Sequence, residues 1–259
     1  MSEYLDFSKR LANQAGDIMR HYYMGGDLAI ELKDDQSRVT IADKAVNDMV
    51  IEEVAQAYPE HSVRGEEASN QEEGDEYVWV CDPIDGTFPY SVGMALGMFS
   101  LALVHDGKPI TALAFEPISN KLYTAELGEG AFLNGSPISV SGDALKPKTR
   151  VDVCDQFNNK IADLRATGTA LYEQDIKLSG YRNSVNVGTL VADGSLAAAI
   201  TSTKHPHDIA AVKLIIEEAG GKVTDLWGDD QRYDGFIKGA LMSNGVVHQE
   251  LVDIIRQNT

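Results

Sequence analysis

The stretch Asp82-Pro83-Ile84-Asp85-Gly86-Thr87 sets two carboxylates three residues apart at the end of an apolar run, Tyr77-Val78-Trp79-Val80-Cys81. A carboxylate at the end of a buried strand costs desolvation energy unless something positive neutralises it. Pro83 turns the chain between the two acids, so their carboxylates can converge. Like charges that converge call for a cation between them. Gly86 and Thr87 then offer backbone N–H groups where a helix or turn begins, which suits a phosphate. Hard oxygen ligands beside a phosphate site point to magnesium rather than zinc. Two further acidic spots could join them. Gly65-Glu66-Glu67 follows a short predicted strand, Ser62 to Arg64, and Asp208 opens Asp208-Ile209-Ala210-Ala211 after His205-Pro206-His207. Taken singly, the first reads rather as a solvated acidic loop and the second as an acid favoured by a helix start.

The elements that must position these residues are legible in the hydrophobic pattern. Residues 3 to 23 predict an amphipathic helix stopped by Gly25-Gly26. A hairpin-like stretch, Leu28 to Val39, has the polar tip Lys33-Asp34-Asp35-Gln36-Ser37. Thr40-Ile41-Ala42-Asp43 starts a second helix that runs to Ala57, and residues 69 to 76 form an acidic loop. Strands are predicted at 77–81, 99–104, 110–115, 121–125 and 131–140, an antiparallel meander turned at Asp106-Gly107, Ser119-Asn120 and Asn134-Gly135. Beyond Ser141 the elements alternate. Strands are expected at 150–154, 196–200, 222–224 and 240–243, and helices at 158–165, 184–193, 206–219 and 246–256. Strands first and alternating elements later predict a mixed α/β chain in layers. The seam near 141–150 divides it into halves 1–145 and 146–259 of one domain.

Composition narrows the function classes. The 259 residues are 43% hydrophobic and 24% charged, which excludes a disordered tail or a disulfide mini-protein. With 22 basic against 40 acidic side chains the net charge is −18, which argues against nucleic acid or an anionic membrane as partner. Two cysteines, Cys81 and Cys154, make no framework and read as packed thiols in a reducing compartment. The start Met1-Ser2-Glu3-Tyr4-Leu5-Asp6 is no signal peptide and no apolar stretch reaches membrane length, so a cytoplasmic protein is expected.

In order along the chain, Gly65-Glu66-Glu67, Trp79-Val80-Cys81-Asp82-Pro83-Ile84-Asp85-Gly86-Thr87, His207-Asp208-Ile209-Ala210-Ala211 and Glu218-Ala219-Gly220-Gly221 resemble the motifs of the inositol monophosphatase superfamily, magnesium-dependent phosphomonoesterases of the lithium-sensitive type. Val39-Thr40-Ile41-Ala42-Asp43 and Gly130-Ala131-Phe132-Leu133-Asn134-Gly135 are weaker matches. The resemblance implies a layered αβαβα sandwich with the site between its halves, and a homodimer. It implies two or three Mg2+ ions: Glu66, Asp82 and the carbonyl of Ile84 match the ligands of one, and Asp82, Asp85 and Asp208 those of a second. Glu66 also matches the weaker third position. Thr87, with Glu66, matches the pair that orients the attacking water, and Asp43 a neighbouring acid. The amides of Gly86 and Thr87 match the phosphate cradle, while Lys33 sits on the hairpin over the site. The implied reaction is hydrolysis of a small phosphomonoester by in-line attack of metal-activated water.

Three departures bear on the substrate. His207 stands where the family usually has Trp; it fills an aromatic slot or adds a metal ligand. Counting seven residues back from Asp208, where inositol-specific members carry a Glu, reaches Thr201. Arg182, in Gly180-Tyr181-Arg182, is a large cation where the organic part of the substrate should sit, and it suits a second anion or pairs with a neighbouring acid. Thr201, Arg182, Asp85 and Asp208 are therefore the expected substrate contacts. Inositol 1-phosphate or a related polyol or sugar phosphate leads. Histidinol phosphate, fructose 1,6-bisphosphate and 3′-phosphoadenosine phosphates follow, and a non-catalytic sensor on the same fold is the reading from another class.

Overall fold

In the strand Met98–His105, Phe99, Leu101 and Leu103 face one apolar cluster while Met98, Ala102 and Val104 face another. This two-residue period, with both faces apolar, is the pattern of a strand sandwiched between layers. The computed structural model describes residues 2–25, 28–33, 38–72, 74–154 and 161–259. Gly26, the hairpin tip at 34–37, Glu73 and the start of the helix expected at 158–165 lie outside the described residues.

Helices α1 (Glu3–Gly25) and α2 (Ile41–Ala57) flank a two-stranded hairpin, β1 (Glu31–Leu32) and β2 (Arg38–Val39). A seven-stranded sheet follows, ordered in space as in sequence: β3 (Ser62–Gly65), β4 (Tyr77–Asp85), β5 (Met98–His105), β6 (Lys108–Glu116), β7 (Lys121–Glu126), β8 (Gly130–Leu133) and β9 (Ser136–Pro137). From β4 to β9 it is the antiparallel meander; β3 joins parallel to β4. The stretch 131–140, expected to be extended around a turn at Asn134-Gly135, folds there into the tight hairpin of β8 and β9, because Asn134 (φ 49°) and Gly135 (φ 79°) form a turn with two left-handed residues. A short helix α3 (Thr87–Ser91) leaves the end of β4.

The second half holds a five-stranded sheet, in the order β11 (Lys177–Ser179), β10 (Arg150–Cys154), β12 (Ala198–Thr201), β14 (Ala240–Ser243), β13 (Lys222–Thr224). The edge strand β11, which pairs parallel to β10, carries only three residues, too few to show a period in sequence. Helix α4 spans Arg165–Glu173, so the helix expected at 158–165 is displaced to later residues. α5 (Ser184–Ala192) and α7 (His248–Asn258) lie where expected. The helix expected over 206–219 is broken: a 3-10 turn spans Pro206–Asp208, Ile209 leaves helical geometry (φ −128°, ψ −33°), and α6 begins at Ala210 and ends at Glu218. Pro206, fixed in φ at the first position, favours a short entry turn that sets Asp208 apart from α6.

Five layers result. α1 and α2 cover one face of the large sheet around Trp79, Phe99, Leu101 and Leu113. α5 and α6 fill the space between the two sheets, touching β5, β6, β12, β13 and β14. The large sheet meets α6 with small side chains, Ala102, Ala112 and Ala114, which lets the helix approach closely. α4 and α7 cover the outer face of the smaller sheet around Leu171, Leu241 and Leu251. The chain therefore has the mixed α/β, αβαβα sandwich expected from the resemblance. Among the described residues, no helix is long and apolar enough to cross a membrane. Cys81 and Cys154 are buried free thiols, and burial raises both above the ordinary thiol range.

Candidate active site

The end of β4 builds the centre. Its ladder with β5 pairs Asp82 with Ser100 and Asp85 with Met98, and the register shifts between them. Pro83 has no N–H for the ladder, so the irregularity falls there. The two acids then stand on the same side of the sheet end, and oxygens of Asp82, Asp85 and Asp208 lie within 4.8 Å of one another. Atoms of Glu66, Asp82 and His207 lie within the same limit. Asp82 is thus common to both groups.

Each acid is delivered by a different element. Glu66 sits just past β3, and its N–H donates to the Cys81 carbonyl at 3.2 Å. Asn47 on α2 pins this turn: its Nδ2 donates to the Ala68 carbonyl at 3.1 Å, and its Oδ1 accepts from the Glu67 N–H at 3.3 Å. Asp208 belongs to the 3-10 turn packed on β4, and Thr203 Oγ1 donates to its Oδ2. Asp85 is held by the N-terminus of α5, where the N–H groups of Ser184, Val185 and Asn186 donate to it at 3.1, 2.8 and 3.4 Å. The positive end of that helix offsets part of the carboxylate's desolvation.

The remaining electrostatics are unfavourable without a cation. Burial, then Glu66, Asp85 and Asp208, push Asp82 well above the ordinary carboxylate range. Burial and Asp208 do the same to Asp85, against the lowering effect of the α5 amides. Asp208 is pushed up to about 7 by burial and the charge of Glu66, with Thr203 opposing. Asp82 is 2% exposed and its Oδ1 has no hydrogen-bond partner. A buried carboxylate oxygen without a donor, facing further carboxylates, is a donor set for a hard dication, so these residues fit the magnesium centre that the resemblance implies.

The neighbouring groups form a relay of short contacts. Thr40 caps α2 and is closed by Asp43: Thr40 N–H and Oγ1 donate to Asp43 Oδ2 at 2.8 and 2.6 Å. Thr87 Oγ1 lies 3.1 Å from Asp43 Oδ1 and 3.0 Å from the Ile84 carbonyl, with one proton to give. Burial pushes Asp43 up to about 6. The Ile84 carbonyl therefore stands beside Thr87, at the end of the strand that carries Asp82 and Asp85. Gly86 has φ +82°, and a Cβ there would meet Asn183 Nδ2 at 2.4 Å. Asn183 donates to the Asp85 carbonyl at 3.3 Å and caps α5. Lys33 reaches in from the hairpin to Glu66 Oε1 (2.8 Å) and Glu67 Oε1 (2.6 Å). Burial opposes its charge, but the two glutamates outweigh this and raise its pKa. Glu67 is pushed up to about 7 by burial and by Glu66.

Of the residues singled out in the sequence, Glu66, Asp82, Ile84, Asp85, Thr87, Asp43 and Asp208 come together with Gly86 and Lys33. Arg182 is exposed and left-handed (φ 52°), one residue before the Asn183 cap, and its charge is felt at Cys154. Thr201 is wholly buried on β12, with an unpartnered Oγ1 that reaches no open subsite. Asn47, Asn183 and Thr203 were not singled out, and Glu67 only as part of Gly65-Glu66-Glu67. Asn183 carried a local signal, an Asn directly before a helix start; Asn47 is a long-range partner that spacing does not reveal, and Thr203 meets Asp208 from the same segment.

The profile of the inositol monophosphatase family matches residues 1–259. The chain belongs to the inositol monophosphatase family. Among its relatives, inositol monophosphatase 2 of Solanum lycopersicum is 33% identical over 239 residues, covering 89% of this chain and 90% of that protein. The fructose-1,6-bisphosphatase/inositol-1-monophosphatase of Thermotoga maritima is 29% identical over 256 residues, covering 98% of this chain and 96% of that one. Among solved structures, the Thermotoga maritima IMPase superposes with a TM-score of 0.83 at 28% identity, covering 99% of this chain and 98% of that chain. As a member of the inositol monophosphatase family, the chain is a phosphomonoester hydrolase.

Proposed function

We propose that this inositol monophosphatase family member hydrolyses a small phosphomonoester of a polyol or sugar, inositol 1-phosphate first, with two or three Mg2+ ions held by Glu66, Asp82, Asp85, Asp208 and the Ile84 carbonyl. The observation that carries the reading is that Asp82, buried with an unpartnered Oδ1, belongs to both groups of ligand atoms. Bound there, Mg2+ would lower the pKa of a water and stabilise the leaving oxygen. The chain's own groups do the rest. Gly86 and Thr87 would hold the phosphoryl oxygens through their amides. The Asp43 carboxylate accepts from Thr87 Oγ1, which turns a Thr87 lone pair towards the attacking water, and Glu66 would accept a proton of that water. Lys33, already on Glu66, would offset phosphoryl charge as the hairpin covers the site.

The polyol class is supported by the names of the relatives. Arg182 beside the α5 cap favours, as a second reading, a substrate with a further anion, such as fructose 1,6-bisphosphate. Apolar side chains exposed around α3 (Phe88, Val92, Met94) support a homodimer, and the two free thiols support a cytoplasmic protein. The test is phosphate release from inositol 1-phosphate, histidinol phosphate, fructose 1,6-bisphosphate and adenosine 3′,5′-bisphosphate, with Mg2+ and again with EDTA. Turnover of inositol 1-phosphate above the rest, abolished by EDTA, is expected. Preference for a bisphosphate moves the reading to the Arg182 alternative, and turnover that survives EDTA overturns the metal centre.

A further inference from the structure

His207 reaches the centre from the 3-10 turn that packs on β4. The turn is fixed by Pro206 and by Ser100 Oγ, which donates to the His207 carbonyl at 3.5 Å. A ring nitrogen of His207, an oxygen of Glu66 and an oxygen of Asp82 lie within 4.8 Å of one another. Ligand atoms held by one dication at about 2.1 Å stand about 3 Å apart when adjacent and about 4.2 Å when opposite, so these three atoms would draw in around one ion bound between them. The ring is buried, and its orientation is set by a stack on His205 (5.1 Å between centroids, 14° between planes), itself edge-on to Phe236. Among the described residues no hydrogen bond takes up a ring nitrogen of His207. Asp82, one of the three, also carries a buried carboxylate oxygen, Oδ1, without a hydrogen-bond partner.

We propose that His207 is a direct nitrogen ligand, and that the Glu66–Asp82–His207 half of the centre takes a first-row transition dication such as Mn2+ in preference to Mg2+. The two halves then differ in chemistry. Asp82, Asp85 and Asp208 offer oxygen alone, which suits Mg2+. Replacing an oxygen by imidazole favours the softer ions along the Irving–Williams series and removes one negative charge from the donor set. The inference rests on the reading of this pocket as a metal centre and adds a ligand and a selectivity to it.

The experiment is electron spin-echo envelope modulation on the full metal-free chain given one equivalent of Mn2+ with Mg2+ in excess. The wild type should show the nitrogen modulation of a directly bound imidazole. H207N should lose it and bind Mn2+ about ten-fold or more weaker by calorimetry, with Mg2+ affinity little changed. H207W, which restores aromatic bulk, should behave likewise, and H205N should keep the modulation. Absence of nitrogen modulation in the wild type overturns the proposal without any variant having to fold, as does its persistence in H207N. The spectrum is read without turnover. Failure of the phosphatase reading would show instead as no phosphate release from any ester by a protein that binds metal.

Discussion

At the residue scale, Asp82 dominates the electrostatics of the molecule. Its carboxylate is removed from water among four other acids, Glu66, Asp85, Asp208 and Asp43, and one oxygen has no donor. A metal would supply the missing positive charge, so the same residue should destabilise the metal-free chain and stabilise the metal-bound one. D82N should abolish phosphate release and abolish the rise in Tm on adding Mg2+. Its metal-free Tm at pH 8 should be higher than that of the wild type, by about 1–3 kcal/mol in stability, the cost of an unmet buried group. Phosphate assays and thermal melts with and without Mg2+ check this, and retained turnover would remove Asp82 from the mechanism. His248 makes a separate prediction at this scale. It is buried between Thr224 Oγ1 (3.0 Å) and Ser243 Oγ (2.7 Å), and burial pushes its pKa down from 6.5 to about 4. The folded state therefore binds fewer protons than the unfolded one between these values, and stability falls as pH drops from about 6.5 to about 4. The loss from this residue is about 3 kcal/mol. The stability gap between wild type and H248Q, by urea unfolding, should shrink by that amount across the window.

At the scale of elements, the site depends on where strands and helices end. β4 delivers Asp82 and Asp85 through an irregular register, and α5 meets Asp85 with its amides. Gly86 is the hinge of this junction. G86A would put a side chain at φ +82° and a Cβ 2.4 Å from Asn183 Nδ2. Left-handed geometry costs about 1–2 kcal/mol for a residue with a Cβ. The clash would also move Asn183 and with it the cap of α5. G86A should therefore lower stability by at least that amount and reduce kcat more than KM. A G86A enzyme with wild-type kcat would show that this junction is not needed for turnover. T40A tests the other junction: losing the cap of α2 should cost about 1 kcal/mol. It also removes the Oγ1 hydrogen bond to the Asp43 carboxylate while the backbone N–H bond remains, so turnover should fall as well; unchanged turnover would separate the Thr40 hydroxyl from the reaction.

At the scale of the whole molecule, the net charge of −18 and the acid cluster act together. A dication that binds only the folded chain at about 100 times its Kd adds about 2.7 kcal/mol. For a chain of this size about 1 kcal/mol shifts Tm by about 2–4 °C, so saturating Mg2+ should raise Tm by about 5–10 °C. The calcium-selective chelator EGTA should not reverse this, whereas EDTA, which also binds Mg2+ strongly, should. Differential scanning calorimetry reads it directly, and a Tm indifferent to Mg2+ would contradict a metal held by the fold. Light scattering tests the proposed homodimer, which should give a mass near twice the 28.1 kDa chain.

The sequence by itself determined the layered class, the meander and the acids that the fold gathers into one cluster. Period-two apolar runs buried on both faces mark the strands from β4 to β7, and Asp-Pro-Ile-Asp-Gly-Thr marks the end of β4. Those are local patterns, and local sterics and burial act on them directly. Element ends were less legible: β11 is too short to show a period, α4 starts later than its apolar pattern suggests, and Ile209 breaks the helix expected from Pro206. Tertiary structure alone decided which distant groups meet. Asn47 holds Glu66's turn and Asn183 holds Asp85's carbonyl from other elements far along the chain, while Thr203 holds Asp208 from nearby. It also decided that Thr201 is sealed in the core while His207 stands beside Glu66 and Asp82. Spacing along the chain says which residues could share a face; only the packing of layers sets the distances over which charge and ligation act.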